Sequence, residues 1–480
     1  MADRPNILLI MSDQHSPHVL GCAGDEIVRT PNLDALADRG VRFENAYCSC
    51  PLCVPSRMGF LTSRHCQDIS VWTNSCILAS DIPTFVHSVG AAGYDTVLGG
   101  RMHFKGPDQR HGFHERLVGD ISGANAGIPP GSSSQEYPAI ELSGPGRTSY
   151  QCYDRAVLEG CQEWLGDRAD SGTDTPFMMV AGFILPHCPF IAPEDLYDYY
   201  YDRVELPQVP DGYLDNPHPA MKYWRHRRGI EDVPEEEMRR ASAAYYGLVE
   251  MFDSTVGGLV ESLEEAGYGD DTIVIYCSDH GESLGENAMW WKSSFYEASA
   301  GVPLIVSAPG QFREGVTRSE VVSLLDLAPT LIEMTGADPL PEMDGDSLLP
   351  LLQDRPVHWR NTAMSEFSAS FRGDPHARMI RSGPWKLMQY YEHEPMLFNL
   401  DEDPNEFYDR GTDPAYAHIV RELQQQVTGG WDPEGAQAAV ERIRREGTVI
   451  RAWDRHFSRE DPDIWDVPEG CNDFPEVYPR

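Results

Sequence analysis

Two short apolar runs in the chain end in aspartate. Ile10-Met11-Ser12-Asp13-Gln14 and Tyr276-Cys277-Ser278-Asp279-His280-Gly281 both read as strands closed by an acid. In an open α/β sheet the carboxyl ends of the strands face the ligand crevice, so Asp13 and Asp279 can converge on one divalent cation. A helix-capping role for either acid is the simpler alternative. A third feature is the run Cys53-Val54-Pro55-Ser56-Arg57. Its thiol admits two plain readings, a buried structural cysteine or a zinc site from Cys48, Cys50, Cys53 and Cys66. Zinc ribbons, however, use two separated Cys-x-x-Cys pairs, and the second pair is missing.

Elements able to position such residues are legible. Ile7 to Met11, Thr96 to Leu98, Phe177 to Phe183, Thr272 to Cys277 and Val302 to Val306 are apolar runs of the kind found in buried, mostly parallel strands. Tyr246, Met251, Phe252, Val256, Leu259, Val260 and Leu263 recur at helical spacing, predicting a helix from about Glu235 to Ala266 with Gly267 as its stop. Thr30-Pro31 sets a cap and a first-turn proline ahead of a helix ending near Gly40. Strands alternating with helices predict a layered α/β domain. Beyond Leu348-Leu349-Pro350 the texture changes, and Met379 to Leu387 followed by Leu397 to Leu400 reads as hairpin-linked strands. The expected division is a catalytic domain over 1–355 and a smaller C-terminal antiparallel domain with tail over 356–480. Ile128 to Arg147 and Leu206 to Pro234 are long polar loops, either lids or surface insertions.

The Cys53 run, continued by Met58-Gly59-Phe60-Leu61-Thr62-Ser63-Arg64, resembles the signature of the sulfatase family of the alkaline-phosphatase superfamily. Val54 and Ser63 depart from its commonest form. The resemblance implies an alkaline-phosphatase-like sheet flanked by helices. It also implies oxidation of Cys53 to formylglycine by a formylglycine-generating enzyme, whose hydrate attacks sulfur and releases sulfate by collapse to the aldehyde. Gly93-Tyr94-Asp95-Thr96-Val97-Leu98-Gly99-Gly100-Arg101-Met102-His103 is similar to the second family signature, with Arg101 where lysine is usual. His187 in Pro186-His187-Cys188-Pro189 and Lys292 in Trp290-Trp291-Lys292-Ser293 match sulfate-contacting positions, and Leu397 to Glu406 resembles the C-terminal landmark. Asp13-Gln14, His280 and Asn74 resemble the choline sulfatase and phosphonate monoester hydrolase branch, while Ile121 to Pro130 does not look like choline sulfatase.

On this resemblance Asp13, Gln14, Asp279, His280 and modified Cys53 hold the cation, calcium first and manganese second. Arg57, Arg101 and Lys292 hold the sulfate oxygens, Asn74 contacts sulfate, His187 or Lys292 protonates the leaving alcohol, and His103 assists collapse. Trp290, Trp291 and Tyr296 form either an aromatic wall for a quaternary ammonium, aryl or sugar group, or part of the core.

Composition removes several other functions. With 38 basic against 76 acidic residues in 480, the formal charge of −38 disfavours nucleic acid and anionic membranes. It also repels long sulfated polyanions at low salt, within a Debye length of about 8 Å at physiological ionic strength, and so favours small sulfate esters. Residues 5–11 are too short for a secretory core, and 11 scattered cysteines suggest reduced thiols, so a cytoplasmic protein without a membrane span is expected. A homo-oligomer is compatible with the sequence. Two rivals share the pattern: a phosphonate monoester or phosphodiester hydrolase using the same nucleophile, and a binding protein on a sulfatase scaffold with Cys53 left as a thiol. Mass spectrometry of the tryptic peptide Phe43 to Arg57, from cells with the modifying enzyme, should find Cys53 converted to the aldehyde. An all-thiol peptide from a fully active preparation contradicts this chemistry.

Overall fold

The computed structural model describes residues 4–121, 127–129, 135–308, 310–368, 375–456 and 463–475. Its centre is an eight-stranded sheet in the order Val316–Ser323, Gly40–Tyr47, Leu304–Ser307, Thr272–Ser278, Asn6–Asp13, Phe177–Pro186, Asp95–Gly100 and Glu115–Val118. Leu304–Ser307 runs antiparallel to both neighbours, and the remaining pairings are parallel. The apolar runs are explained by burial on both faces. Along Asn6–Asp13, alternate side chains enter different cores: Ile7, Leu9 and Met11 one, Leu8 and Ile10 the other. Each such side chain contributes about 1.5–3 kcal/mol on burial. Helices Ser149–Ser171 and Glu235–Glu265 cover one face through Tyr153, Val157, Leu248 and Phe252. Helices Cys53–Thr62, Phe85–Ala91 and Leu327–Thr335 cover the other through Met58, Phe60, Phe85 and Leu331. This is the expected α/β architecture, and the periodic helix spans almost the range its pattern predicts.

Strands Thr362–Phe367, Ala377–Ser382, Trp385–Tyr390 and Met396–Asn399 form the smaller antiparallel sheet. Helix Ala417–Val427 packs Val420, Leu423 and Val427 against its Ile380, Leu387 and Leu397. The sheet is pinned to the main body by a buried charge. Lys386 Nζ reaches Glu297 Oε1 at 2.6 Å and Glu406 Oε1 at 2.8 Å, while Tyr47 donates its hydroxyl to Glu297 at 2.8 Å.

Several expectations are corrected. The cysteines are not all reduced thiols: Cys152 and Cys471, 319 residues apart, form a disulfide. No spacing in the sequence signals it, because the pairing exists only after the C-terminal tail returns to exchange backbone hydrogen bonds between Arg147 and Asp473, both at 2.8 Å. The stretch Leu206 to Pro234 is not loop throughout; it contains helix Pro219–Arg228, which seats Met221 and Trp224 in the core. Part of Ile128 to Arg147, residues 130–134, lies outside the described residues, as do residues 122–126 of the divergent stretch. Thr30 precedes a helix, Pro31–Asp38, but does not cap it; its hydroxyl accepts from Gly21 N and donates to Asp34 instead.

Glu406 is pushed up to about 7 by burial despite Lys386, whereas in Glu297, which burial also pushes up, the charges of Lys386 and Arg381 win and hold it below the usual range. Lys386→Met leaves both carboxylates without their cation and should cost about 3–5 kcal/mol in urea denaturation near neutral pH. A carboxyl raised in the folded state loses stability as pH rises through its folded value, so mild acid should restore part of the variant's loss. An unchanged denaturation midpoint would contradict the pinning role.

Candidate active site

Four adjacent parallel strands converge on one point. Thr272–Ser278 delivers Asp279 and His280, Asn6–Asp13 delivers Asp13 and Gln14, Phe177–Pro186 delivers His187, and Asp95–Gly100 delivers Arg101 and His103. The register sets Ser12 beside Ser278, which aligns the two strand-end acids. Cys53 begins the helix Cys53–Thr62 and arrives from the far side of the antiparallel strand. One ligand atom from each of Asp13, Cys53, Asp279 and His280 lies within 4.8 Å of the others, and all four residues are buried.

Like charges this close need compensation, and Arg57 supplies it. Its Nε meets Asp279 Oδ2 at 2.8 Å, its Nη2 meets Asp13 Oδ2 at 3.2 Å, and its Nη1 donates to Arg101 O at 2.8 Å. The last contact depends on Gly182, where a Cβ would stand 1.9 Å from Arg101 O. Arg101 also meets Asp13 at 3.0 Å and Asp120 at 3.4 Å, and donates to His103 Nδ1 at 2.9 Å. Lys292 Nζ donates to Gln14 Oε1 at 2.8 Å and to Cys53 Sγ at 3.1 Å. Burial alone would raise the Asp13 carboxyl, but the fixed charges of Arg101, Lys292 and Arg57 hold it well below the usual range. Burial would lower Lys292, yet Cys53 and Asp13 keep its pKa above the ordinary value.

The three histidines are held neutral. Burial, together with Lys292, lowers His280 and His187, while burial with Arg101 and Lys105 holds His103 well below the usual value. Their tautomers follow from their partners. His280 Nδ1 donates to Gly281 O at 3.0 Å, turning the Nε2 lone pair toward Cys53 Sγ at 3.3 Å and Asp279 Oδ1 at 3.5 Å. His187 Nδ1 donates to Cys188 O at 2.5 Å, with Nε2 4.0 Å from Asp13. His103 accepts at Nδ1 and therefore carries its proton on Nε2. Two carboxylates, an imidazole lone pair and an amide oxygen suit a divalent cation.

Asn74 accepts from Val54 N at 3.0 Å and so serves the amino end of the Cys53 helix, where the backbone dipole favours negative charge. Ser63, the departure from the family form, ends that helix in the left-handed region at φ 53° and is fixed by its hydroxyl donating to Leu325 O at 2.8 Å. Trp290 and Trp291 are core, only 2 % and 0 % exposed, and form no open wall. Residues 282–292 fold inward as a hairpin tied by Ser283 N to Trp291 O and Gly285 N to Met289 O, which carries both indoles inside.

Five further residues belong to the neighbourhood. Asp120 anchors Arg101, Lys105 adds a cation whose pKa burial and Arg101 lower, and Tyr150 sets its ring edge-on to His187 at 5.9 Å. Glu282, pushed up to about 7 by burial, accepts from Gln14. Asp154, also pushed up to about 7 by burial, accepts from Ile184 N and Leu185 N just ahead of His187. Asp154 had a signal in the sequence, since it is an acid on the same helical face as Tyr150, Val157 and Cys161. Asp120 and Glu282 had none.

A buried anion receptor fed by the amino end of a helix is the equipment of a hydrolase of charged esters. The chain belongs to the sulfatase family and is a sulfuric ester hydrolase: a family model described as Sulfatase matches residues 5–337, and one described as N-sulphoglucosamine sulphohydrolase, C-terminal, matches residues 285–430. A choline-sulfatase of Rhizobium meliloti is 33% identical over 93% of this chain and 91% of its own. An arylsulfatase of Clostridium perfringens is 26% identical over 89% and 96%. Among solved structures, a phosphonate monoester hydrolase from Silicibacter pomeroyi superposes with a TM-score of 0.74 at 26% identity, covering 88% of this chain and 94% of that one.

Asp154→Ala orphans two buried backbone donors at about 1–3 kcal/mol each. Urea denaturation should show a loss of about 2–6 kcal/mol, and turnover should fall with the displaced His187. A variant as stable and active as the parent would remove Asp154 from the site's support.

Proposed function

We propose that the chain hydrolyses the sulfate monoester of a small organic alcohol, using Cys53 matured to formylglycine and one divalent cation held by Asp13, Gln14, Asp279, His280 and residue 53. The observation that carries this reading is the meeting of Cys53 Sγ with three buried donors within 4.8 Å. Sγ marks the place of one hydroxyl oxygen of the formylglycine hydrate. Oxygen-rich ligation favours calcium, and His280 keeps manganese open. When bound, the cation supplies Lewis acidity and a lowered hydroxyl pKa, and the hydrate supplies the attacking oxygen and a second hydroxyl that lets sulfate leave.

The chain's own residues do the remainder. Arg57, Arg101 and Lys292 are cations fixed before the substrate arrives, so charge moving toward the leaving oxygen meets a field that needs no rearrangement. Asp279, beside the nucleophile, receives the proton of the attacking hydroxyl. Lys292 Nζ, 3.9 Å from Asp13 Oδ1, keeps its proton beside that carboxylate, which suits it to protonate the departing alcohol. Neutral His187, its Nδ1 proton committed to Cys188 O, presents Nε2 as an acceptor instead. His103, with its proton on Nε2, sits beside Arg101 to assist collapse to the aldehyde.

The relatives named choline-sulfatase and arylsulfatase support a choline-like or aryl sulfate as substrate, with a sugar sulfate as the remaining alternative. The phosphonate monoester hydrolase superposition supports a second reading, phosphonate monoester or phosphodiester hydrolysis by the same groups. A kcat/KM comparison of choline sulfate, an aryl sulfate, sulfated sugars, a phosphonate monoester and a phosphodiester, on protein with confirmed formylglycine, separates them. Sulfate esters should lead, and a phosphonate lead overturns the assignment. Asp279→Ala should abolish stoichiometric cation binding and lower kcat/KM by about 10²-fold or more. Retained cation and normal turnover would show the ligand set to be wrong.

A further inference from the structure

Gln14 is an unusual donor to set beside a cation, because its two amide ends have opposite character and similar shape. Its backbone has no freedom. It lies in the left-handed region at φ 69°, with Tyr245 donating its hydroxyl to Gln14 O at 2.8 Å and Gln14 N donating to Asp279 Oδ1 at 3.2 Å. Only a half-turn of the amide is left undecided. At one end, Oε1 accepts from Lys292 Nζ at 2.8 Å; at the other, Nε2 donates to Glu282 Oε2 at 2.5 Å. Glu282 is itself fixed, since its Oε1 accepts from Leu284 N at 2.8 Å and Trp291 N at 2.7 Å.

We propose that Glu282 is a positioning residue that sets the polarity of the Gln14 amide, so that its oxygen and not its nitrogen faces the cation and Lys292. The inference rests on the cation reading given above. Rotated by half a turn, the amide would aim its NH2 at the Lys292 ammonium and the cation while pressing its oxygen on the Glu282 carboxylate. The first contact is repulsive, and the second forfeits the hydrogen bond that Nε2 now donates to Glu282 Oε2. With Oε1 of Glu282 committed to Leu284 N and Trp291 N, its Oε2 offers Nε2 of Gln14 an acceptor where an amide of the same shape would offer only NH2.

The isosteric change Glu282→Gln makes the distinction measurable. Its oxygen must remain on Leu284 N and Trp291 N, because turning its NH2 there would orphan two buried donors. Its NH2 then faces the NH2 of Gln14, so the pair repels unless Gln14 turns its oxygen away from Lys292, and either arrangement weakens the hold on the cation. The exchange variant carrying Gln14→Glu with Glu282→Gln restores an oxygen at the cation and a donor–acceptor pair behind it.

The experiment is calcium titration by calorimetry on chelator-stripped protein, with thermal unfolding of each variant as control. E282Q should bind calcium at least about tenfold more weakly at a near-unchanged melting temperature, and the exchange variant should regain wild-type affinity. Wild-type affinity in E282Q, or a folded exchange variant that fails to regain binding, overturns the inference. Calcium binding that is lost in Asp279→Ala but kept in E282Q overturns this inference while leaving the cation reading intact; a wild type that binds no cation overturns both. A calcium-bound crystal structure of the unsubstituted protein needs no variant to fold. Gln14 Oε1 on the ion at about 2.3–2.6 Å, with Nε2 still on Glu282, supports the inference, and Gln14 turned from either partner overturns it.

Discussion

Everything in this site depends on two buried carboxylates held side by side. Asp13 and Asp279 end neighbouring strands whose register leaves them no other place, and neither is exposed to water. Removing such charges from solvent costs several kcal/mol each unless opposite charge replaces the water. Arg57 does so by forking between them, and Arg101 and Lys292 add further positive charge at Asp13. The result is a receptor with three fixed cations and two fixed anions. On the function proposed above, a divalent cation would complete it and make the pocket positive, suited to an anionic ester.

Support for that cluster runs outward in chains of contact. Arg101 is held by Asp120, whose backbone N donates at 2.9 Å to Asp463 O in the returning C-terminal tail. Ile464-Trp465 pairs with Asp120-Ile121, and Trp465 packs edge-on to Tyr153 at 5.3 Å. The disulfide from Cys152 to Cys471 closes the same contact a few residues on. On the opposite flank, Lys386 of the small sheet reaches Glu297, five residues past Lys292 in the chain. The small sheet and the tail thus brace loops that carry cations of the site.

The contrast between surface and site bears on substrate choice. The chain as a whole carries a formal charge of −38, yet the pocket concentrates cations. Long-range repulsion of an extended polyanion and short-range capture of one anionic group act on different length scales, and only the second survives salt at physiological strength. A small ester meets chiefly the second. Trp290 and Trp291 contribute to the core and not to an open wall.

The sequence alone determined the chemistry-bearing residues that lie in contiguous motifs or at strand ends. Asp13, Asp279 and His280 were legible because continuous apolar runs mark the strands and the carboxyl ends of parallel strands share one edge, whereas Cys53 and Arg57 were legible through the contiguous motif that resembles the sulfatase signature. The α/β layering and the long helix followed from the same periodicities. Tertiary structure alone decided which remote groups complete the site. Asp120 and Glu282 act through partners far away in sequence, Asp154 is useful only because Ile184 and Leu185 pass over it, and the Cys152–Cys471 disulfide requires the tail to return. It also decided that the adjacent indoles turn inward, since a hairpin anchored on Glu282 sets their direction and composition does not. Local patterns report which face of an element is buried; which polar atoms meet there is fixed only when the elements pack.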